Sequence, residues 1–291
     1  MTVDTLGMTS GPTGAGATGR TGATEVAAGF VSDVYPAFFL QFWPAGPPRG
    51  HLIYLPPFGE EMNRCRAAVA EQARWFARQG LSCTVLDFYG TGESDGDLTD
   101  ATLPIWRQNI EDLRVQLTQR WAAPVYLWGC RLGALIAVDY LQWHPGSSKR
   151  LLFWQPVPSG SNFVTQLLRQ RAAALMQKGE QGETTAGMKA RLAAGESIEV
   201  AGYRLGGELV TAIDQLEMRF LPGDGDTEIF WMEHSADGSV ALGARTARVI
   251  EQLQQTGTTI SVSTFGDEPI WQLHKRASCD DLLTKTRELV I

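Results

Sequence analysis

The stretch Pro124-Val125-Tyr126-Leu127-Trp128-Gly129-Cys130-Arg131-Leu132-Gly133-Ala134 carries an apolar run into a glycine and resumes with helical character from about Leu132. That pattern reads as strand, sharp turn, helix. Gly129 and Gly133 flank Arg131 two residues to either side, where a side chain would collide with neighbouring backbone in a tight strand-to-helix turn. Arg131 is therefore expected to stand above the edge of a sheet. Working outward, strand-like runs lie at Phe38–Trp43, His51–Pro56 and Ser82–Phe88 before this segment, and at Arg150–Gln155, Thr227–Glu233 and Thr258–Phe265 after it. Segments of helical period fall between them at Asn63–Gln79, Leu103–Arg120, Leu132–Trp143, Ala241–Gln255 and Asp280–Val290. The alternation predicts an α/β fold with a mostly parallel central sheet flanked by helices. From Asn162 to Pro222 the strand rhythm stops, and an Ala-, Gln- and Glu-rich stretch broken by Gly179, Gly182, Gly187 and Gly195 takes over. The expected organisation is thus a disordered Gly/Thr-rich tail over residues 1–30, a core over 31–161 and 222–291, and a helical cap over 162–221.

The turn resembles the nucleophile elbow of the α/β-hydrolase fold, Gly-x-Ser-x-Gly, with Gly129-Cys130-Arg131-Leu132-Gly133 in its place. The nucleophile position holds an arginine. A guanidinium stays protonated at ordinary pH and offers no lone pair for attack, so an ordinary serine-hydrolase cycle fails at this position. Moving the turn to centre it on Cys130 would bring Trp128 and Leu132 to the tight flanking positions, so Cys130 reads as a small buried hydrophobe.

With 291 residues, the chain is long enough for one large α/β domain with a sizeable core. Its net charge of -7 argues against nucleic acid as a partner. Cys65, Cys83, Cys130 and Cys279 form no C-x-x-C pair, which removes a zinc knuckle and a dithiol redox motif and fits a reduced, cytoplasmic chain. No transmembrane segment, secretory signal, metal site or cofactor is expected.

Four histidines bound any imidazole chemistry. His51 opens a strand, away from the carboxyl ends where ligands sit in parallel sheets, and reads as structural. His144 closes the helix leading away from the elbow and reads as a cap. His274 lies beyond the loop Gly266-Asp267-Glu268-Pro269, which is acidic where the fold normally carries its base. His234 ends a strand and is followed by Asp237, so His234 and Asp237 are catalytic candidates, alternatively surface loop residues.

The loop Pro57-Phe58-Gly59-Glu60-Glu61-Met62-Asn63-Arg64-Cys65-Arg66 stands where the fold donates an oxyanion-hole N–H. One reading makes Asn63 the helix cap with solvated charges around it. The other lets Glu60 or Glu61 pair with Arg131, since an unpaired charge in a partly buried cleft costs about 3–5 kcal/mol. Glu61 is also a candidate base. Gln155 and Trp271 are placed at the cleft mouth or wall, with a satisfied loop amide and a core aromatic as the alternatives. Gly90-Thr91-Gly92-Glu93-Ser94 lacks the third glycine and the prompt helix of a dinucleotide loop and reads as a turn.

The motifs P-P-F-G-E-E-M-N-R-C-R at 56–66, D-F-Y-G-T-G-E-S-D-G-D at 87–97, W-G-C-R-L-G-A at 128–134, W-Q-P-V at 154–157 and E-P-I-W-Q at 268–272 resemble the exosortase A system-associated hydrolase 2 family, from about residue 35 to the end. That family carries arginine at the elbow too. The resemblance implies a bacterial cell with the exosortase and PEP-CTERM sorting system, its link to exopolysaccharide production and, for an accessory protein, a protein partner there. Two functions stay open. One is an enzyme of acyl or ester chemistry with Arg131 holding an oxyanion and Glu60, Glu61 or His234 as base; the other is a cleft that binds a small anionic ligand through Arg131, Glu60, Asn63, Gln155 and Trp271.

Overall fold

A computed structural model describes residues 25–179, 182–219, 226–236, 239, 242–272 and 278–289. Its eight-stranded sheet comprises β1 (Glu25–Val31), β2 (Ala37–Trp43), β3 (Gly50–Leu55), β4 (Leu81–Leu86), β5 (Val125–Cys130), β6 (Arg150–Trp154), β9 (Glu228–His234) and β10 (Thr259–Phe265). The strand order is β1-β2-β4-β3-β5-β6-β9-β10. From β4 to β10 every pairing is parallel, while β1 and β2 add an antiparallel edge. This is the α/β-hydrolase fold expected from the sequence.

Successive residues of the central strands feed opposite cores, as a two-residue period requires. All six residues of β3 are buried. Ile53 and Leu55 join the face covered by α2 (Leu103–Arg120) and α3 (Leu132–Trp143), whereas Leu52 and Tyr54 join that of α1 (Glu60–Arg78) and α8 (Asp280–Arg287). A helix α7 (Ala244–Gln255) completes the first layer through Ile250 and Leu253. On the second, Tyr54, Trp128 and Trp154 pack edge-to-face, with centroids 4.6 Å apart in each adjacent pair.

The insertion between β6 and β9 holds α4 (Gly160–Gln177), α5 (Thr185–Ala193), the antiparallel hairpin β7 (Ile198–Val200) and β8 (Tyr203–Leu205), and α6 (Gly207–Asp214). A two-stranded hairpin thus joins the expected helices. Two further differences concern the ends of elements. Residues 25–30, placed in the tail by the sequence, form strand β1 with Val31, and residues 1–24 of that tail lie outside the described residues. This edge strand escapes the hydrophobic pattern because its outward face, with Val26 and Phe30, is exposed, and Ala27 and Gly29 on the inner face are small. Helix α1 starts at Glu60 rather than Asn63, with Gly59 as its N-cap at φ 60°.

His51 is structural, as expected. It is buried with Nε2 donating to the Trp121 carbonyl (2.8 Å), which leaves Nδ1 to accept from the Ser82 hydroxyl (2.6 Å). Burial lowers its pKa below 6.5, outweighing the carbonyl bond that raises it. The unfolded chain therefore binds a proton that the folded chain refuses, and stability falls as pH drops through the unfolded value of about 6.5 toward the lower folded one. Urea midpoints measured at about pH 7.5 and 5.5 are expected to differ less in His51→Gln than in the natural chain. Identical differences would refute the role.

Candidate functional site

The elbow forms with Arg131 at its apex, at φ 53° and ψ -117°. Its N–H donates to the Trp154 carbonyl (3.0 Å), and its own carbonyl accepts from Ala134 (3.2 Å) and Val157 (3.2 Å). A Cβ at Gly129 would overlap the Ala134 backbone, and one at Gly133 the Leu55 carbonyl. The two glycines are thus required by close approach, as the sequence implied. Backbone held at such angles in a non-glycine residue stores about 1–3 kcal/mol. Arg131 also stands at the positive N-terminal end of α3, which no side chain caps. The strain is indifferent to charge, but the dipole disfavours a cation here unless an anion accompanies it.

That anion is Glu61. Arg131 Nε reaches its Oε2 and Nη2 its Oε1, both at 3.3 Å, with side-chain exposures of 15% and 23%. The guanidinium also lies over the Trp271 ring, 5.3 Å from its centroid. Of the two carboxylates expected to compete for Arg131, Glu61 takes it, while Glu60, in the same first turn of α1, is bonded to Tyr203 and Asn63. The pairing is long. The structural pair Arg107–Asp139, by contrast, closes to 2.7 and 3.0 Å, in the range of strong charge-assisted bonds.

Glu60 faces the cap. The Tyr203 hydroxyl donates to its Oε2 (3.1 Å), and Asn63 Nδ2 donates both to Glu60 Oε2 (3.3 Å) and to Tyr203 (3.1 Å). Burial, with Glu60 beside it, raises the Tyr203 pKa. Asn63 is therefore no helix cap, because α1 starts three residues earlier; it ties the core loop to the hairpin. Arg64 Nη1 donates to the Trp271 (3.3 Å) and Gln272 (3.2 Å) carbonyls and so fixes the wall that carries Trp271.

These groups surround a pocket of about 320 Å³ between core and cap. Arg131, Glu61 and Trp271 supply its charged and aromatic part from the core; Phe163, Leu167 and Val200 supply apolar surface from the cap. Gln166 and Gln170 add amides from α4. The cap residues escaped the sequence reading, since an Ala- and Gln-rich helix carries no chemical signature; Tyr203, the sole aromatic of the hairpin, was the available signal.

Gln155 and His234 do not line this pocket. Gln155 holds a left-handed φ of 42°, and its side-chain oxygen accepts from the His234 N–H, tying the ends of β6 and β9 together. Its side-chain oxygen thus serves as a clamp between the two strand ends. The His234 ring packs edge-on against Phe265 (5.6 Å) and Trp271 (6.3 Å). Asp237 and His274 lie outside the described residues. His144 is the C-cap of α3 and stacks on Tyr140 at 4.7 Å. Ser94 serves backbone, donating to the Asp87 carbonyl (2.7 Å) and accepting from Phe38 N–H (2.8 Å). Cys130 is fully buried and hydrogen-bonded to Cys65, a contact that together with burial pushes the Cys65 thiol up. Among the described residues, no group of three or more His, Cys, Asp or Glu side chains could hold a metal, and no helix is long and apolar enough to cross a membrane.

Residues 46–192 match the family model described as serine aminopeptidase, S33. The chain belongs to that family. An α/β-hydrolase carries its serine at the elbow apex, and in this S33 member the apex is Arg131. Solved structures of the same fold include Est1E from Butyrivibrio proteoclasticus with ferulic acid, at TM-score 0.60 and 18% identity over 90% of this chain and 95% of that one. A thermostable carboxyl esterase from Bacillus coagulans with glycerol follows at TM-score 0.55 and 16% identity over 84% and 90%. DcsB with a substrate analogue gives TM-score 0.56 and 13% identity over 91% and 97%. No curated protein matches the sequence.

Proposed function

We propose that the capped pocket binds a small ligand made of an anionic group on an apolar body, with Arg131 as counter-charge, and that it does not run a serine-hydrolase cycle. The loose Arg131–Glu61 pair carries this reading: both contacts are 3.3 Å, inside a pocket whose cap side is largely apolar. A ligand carboxylate can approach the same guanidinium face, gain two charge-assisted bonds and leave Glu61 held by the α1 dipole. The resemblance to exosortase A system-associated hydrolase 2 proteins supports a cytoplasmic accessory role in that sorting system, with a protein partner there. Ester hydrolysis with Glu61 activating water is the competing chemistry, favoured by the esterase relatives of the fold.

The test uses ferulate, benzoate and octanoate beside their methyl esters in ligand-observed NMR. Carboxylates are expected to bind about tenfold or more tightly than the neutral esters, consistent with loss of one or more charge-assisted bonds. Turnover of the esters would establish the hydrolase instead, and equal binding of acid and ester would remove Arg131 as the recognising charge. A fluorophosphonate probe is expected to leave the chain unlabelled, because the apex offers no hydroxyl; stoichiometric labelling read by intact mass would overturn this.

A further inference from the structure

A second groove, of about 460 Å³, lies between the N-terminal end of α4, the segment after α6 and the start of α7, and it has a different chemistry. Arg219, Arg245 and Arg248 line it. Most described arginines are committed: to a carboxylate in Arg66, Arg107 and Arg114, or to an aromatic ring in Arg120. Arg219, Arg245 and Arg248 are exposed, and their side chains have no ion pair, hydrogen bond or ring contact among the described residues. One carboxylate, Glu217, shares the groove, and its Oε1 is already occupied by the Ser159 hydroxyl (2.8 Å).

The clustering is electrostatically unfavourable as it stands. Arg245 and Arg248 are three residues apart on α7, which makes them neighbours on one face. Both sit near the positive end of that helix, whose first turn holds no acidic residue and whose Gly243 cap supplies no side-chain bond. In a chain of net charge -7, three arginines lining one groove with a single carboxylate are not a consequence of composition. Guanidinium forks match phosphoryl oxygens bidentately. Asn162 and Gln252, also lining the groove, add neutral amide donors.

We propose that this groove is a binding site for a diphosphate-bearing small molecule, with Arg219, Arg245 and Arg248 clamping the phosphoryl groups. The excess of positive charge over the single carboxylate matches a diphosphate better than a monoanion. The site is independent of the elbow pocket, with which it shares no lining residue.

Calorimetric titration of the full chain with inorganic pyrophosphate at low salt tests it. Saturable binding that weakens as salt is raised is expected, with a loss of about a hundredfold in Arg245→Ala/Arg248→Ala, roughly tenfold for each charge-assisted contact removed. Arg78→Ala, which removes another exposed arginine whose side chain has no partner among the described residues, far along the chain, is expected to bind as the natural chain does. Absence of saturable binding, equal affinity in the double variant, or a loss that follows Arg131→Ala instead would each overturn the proposal. Citrate binding as tightly as pyrophosphate would overturn the phosphoryl assignment.

Discussion

Replacing Gly133 by alanine is expected to cost about 4 kcal/mol, a large share of a stability that is typically about 5–15 kcal/mol. The new methyl would fall on the Leu55 carbonyl, with the Pro56 carbonyl oxygen 2.7 Å away. Both obstacles are backbone. Leu55 ends β3, a strand paired on both sides by β4 and β5, so relief requires moving the centre of the sheet. Relief from the other side would shift α3, ten of whose twelve residues are buried. Gly243→Ala is the control: its φ is -57° and nothing lies within 4 Å of the added carbon, so a change within about 0.5 kcal/mol is expected. Equilibrium urea unfolding of the two variants decides the matter. If Gly133→Ala unfolded at the natural midpoint, the close packing of elbow against β3 would be wrong.

That close approach is also what made the fold readable. Gly129 and Gly133 carry a backbone constraint that depends only on neighbours in sequence and on the sheet they enter, so their spacing predicts the elbow. The salt bridge between Arg131 and Glu61 was legible for another reason: a partly buried cation needs an anion, and the 60–61 carboxylates lie on the adjacent strand's loop. Which of the two would pair was not legible. It depends on α1 starting at Glu60 instead of Asn63, and boundaries of that kind are set by the left-handed Gly59 cap rather than by periodicity. The direction of the Gln155 side chain was not legible for a similar reason. Its φ of 42° re-aims the side chain toward the His234 backbone, a direction that a strand pattern cannot encode. The cap residues opposite Arg131 come from more than thirty residues downstream, so their approach is a tertiary fact with no local trace.

Arg131→Ala is expected to weaken carboxylate binding about 30- to 100-fold while leaving the chain folded. The affinity figure follows from losing two hydrogen bonds at about 1.0–1.4 kcal/mol each, with 1.4 kcal/mol per factor of ten. The stability loss is smaller, about 1 kcal/mol. Removing the guanidinium deprives Glu61 of a partner, but that carboxylate is 23% exposed and remains in the first turn of α1. The left-handed backbone at φ 53° persists with alanine, so no strain is relieved. Glu61→Gln works in the opposite sense. It removes the competing carboxylate while keeping the side chain's shape, so ligand carboxylates are expected to bind more tightly, by about tenfold, the strength of one charged contact. The two variants together separate recognition from scaffolding. A merely structural Arg131 would change the urea midpoint in both variants and the carboxylate preference in neither, and NMR titration showing that pattern would reject the ligand role outright.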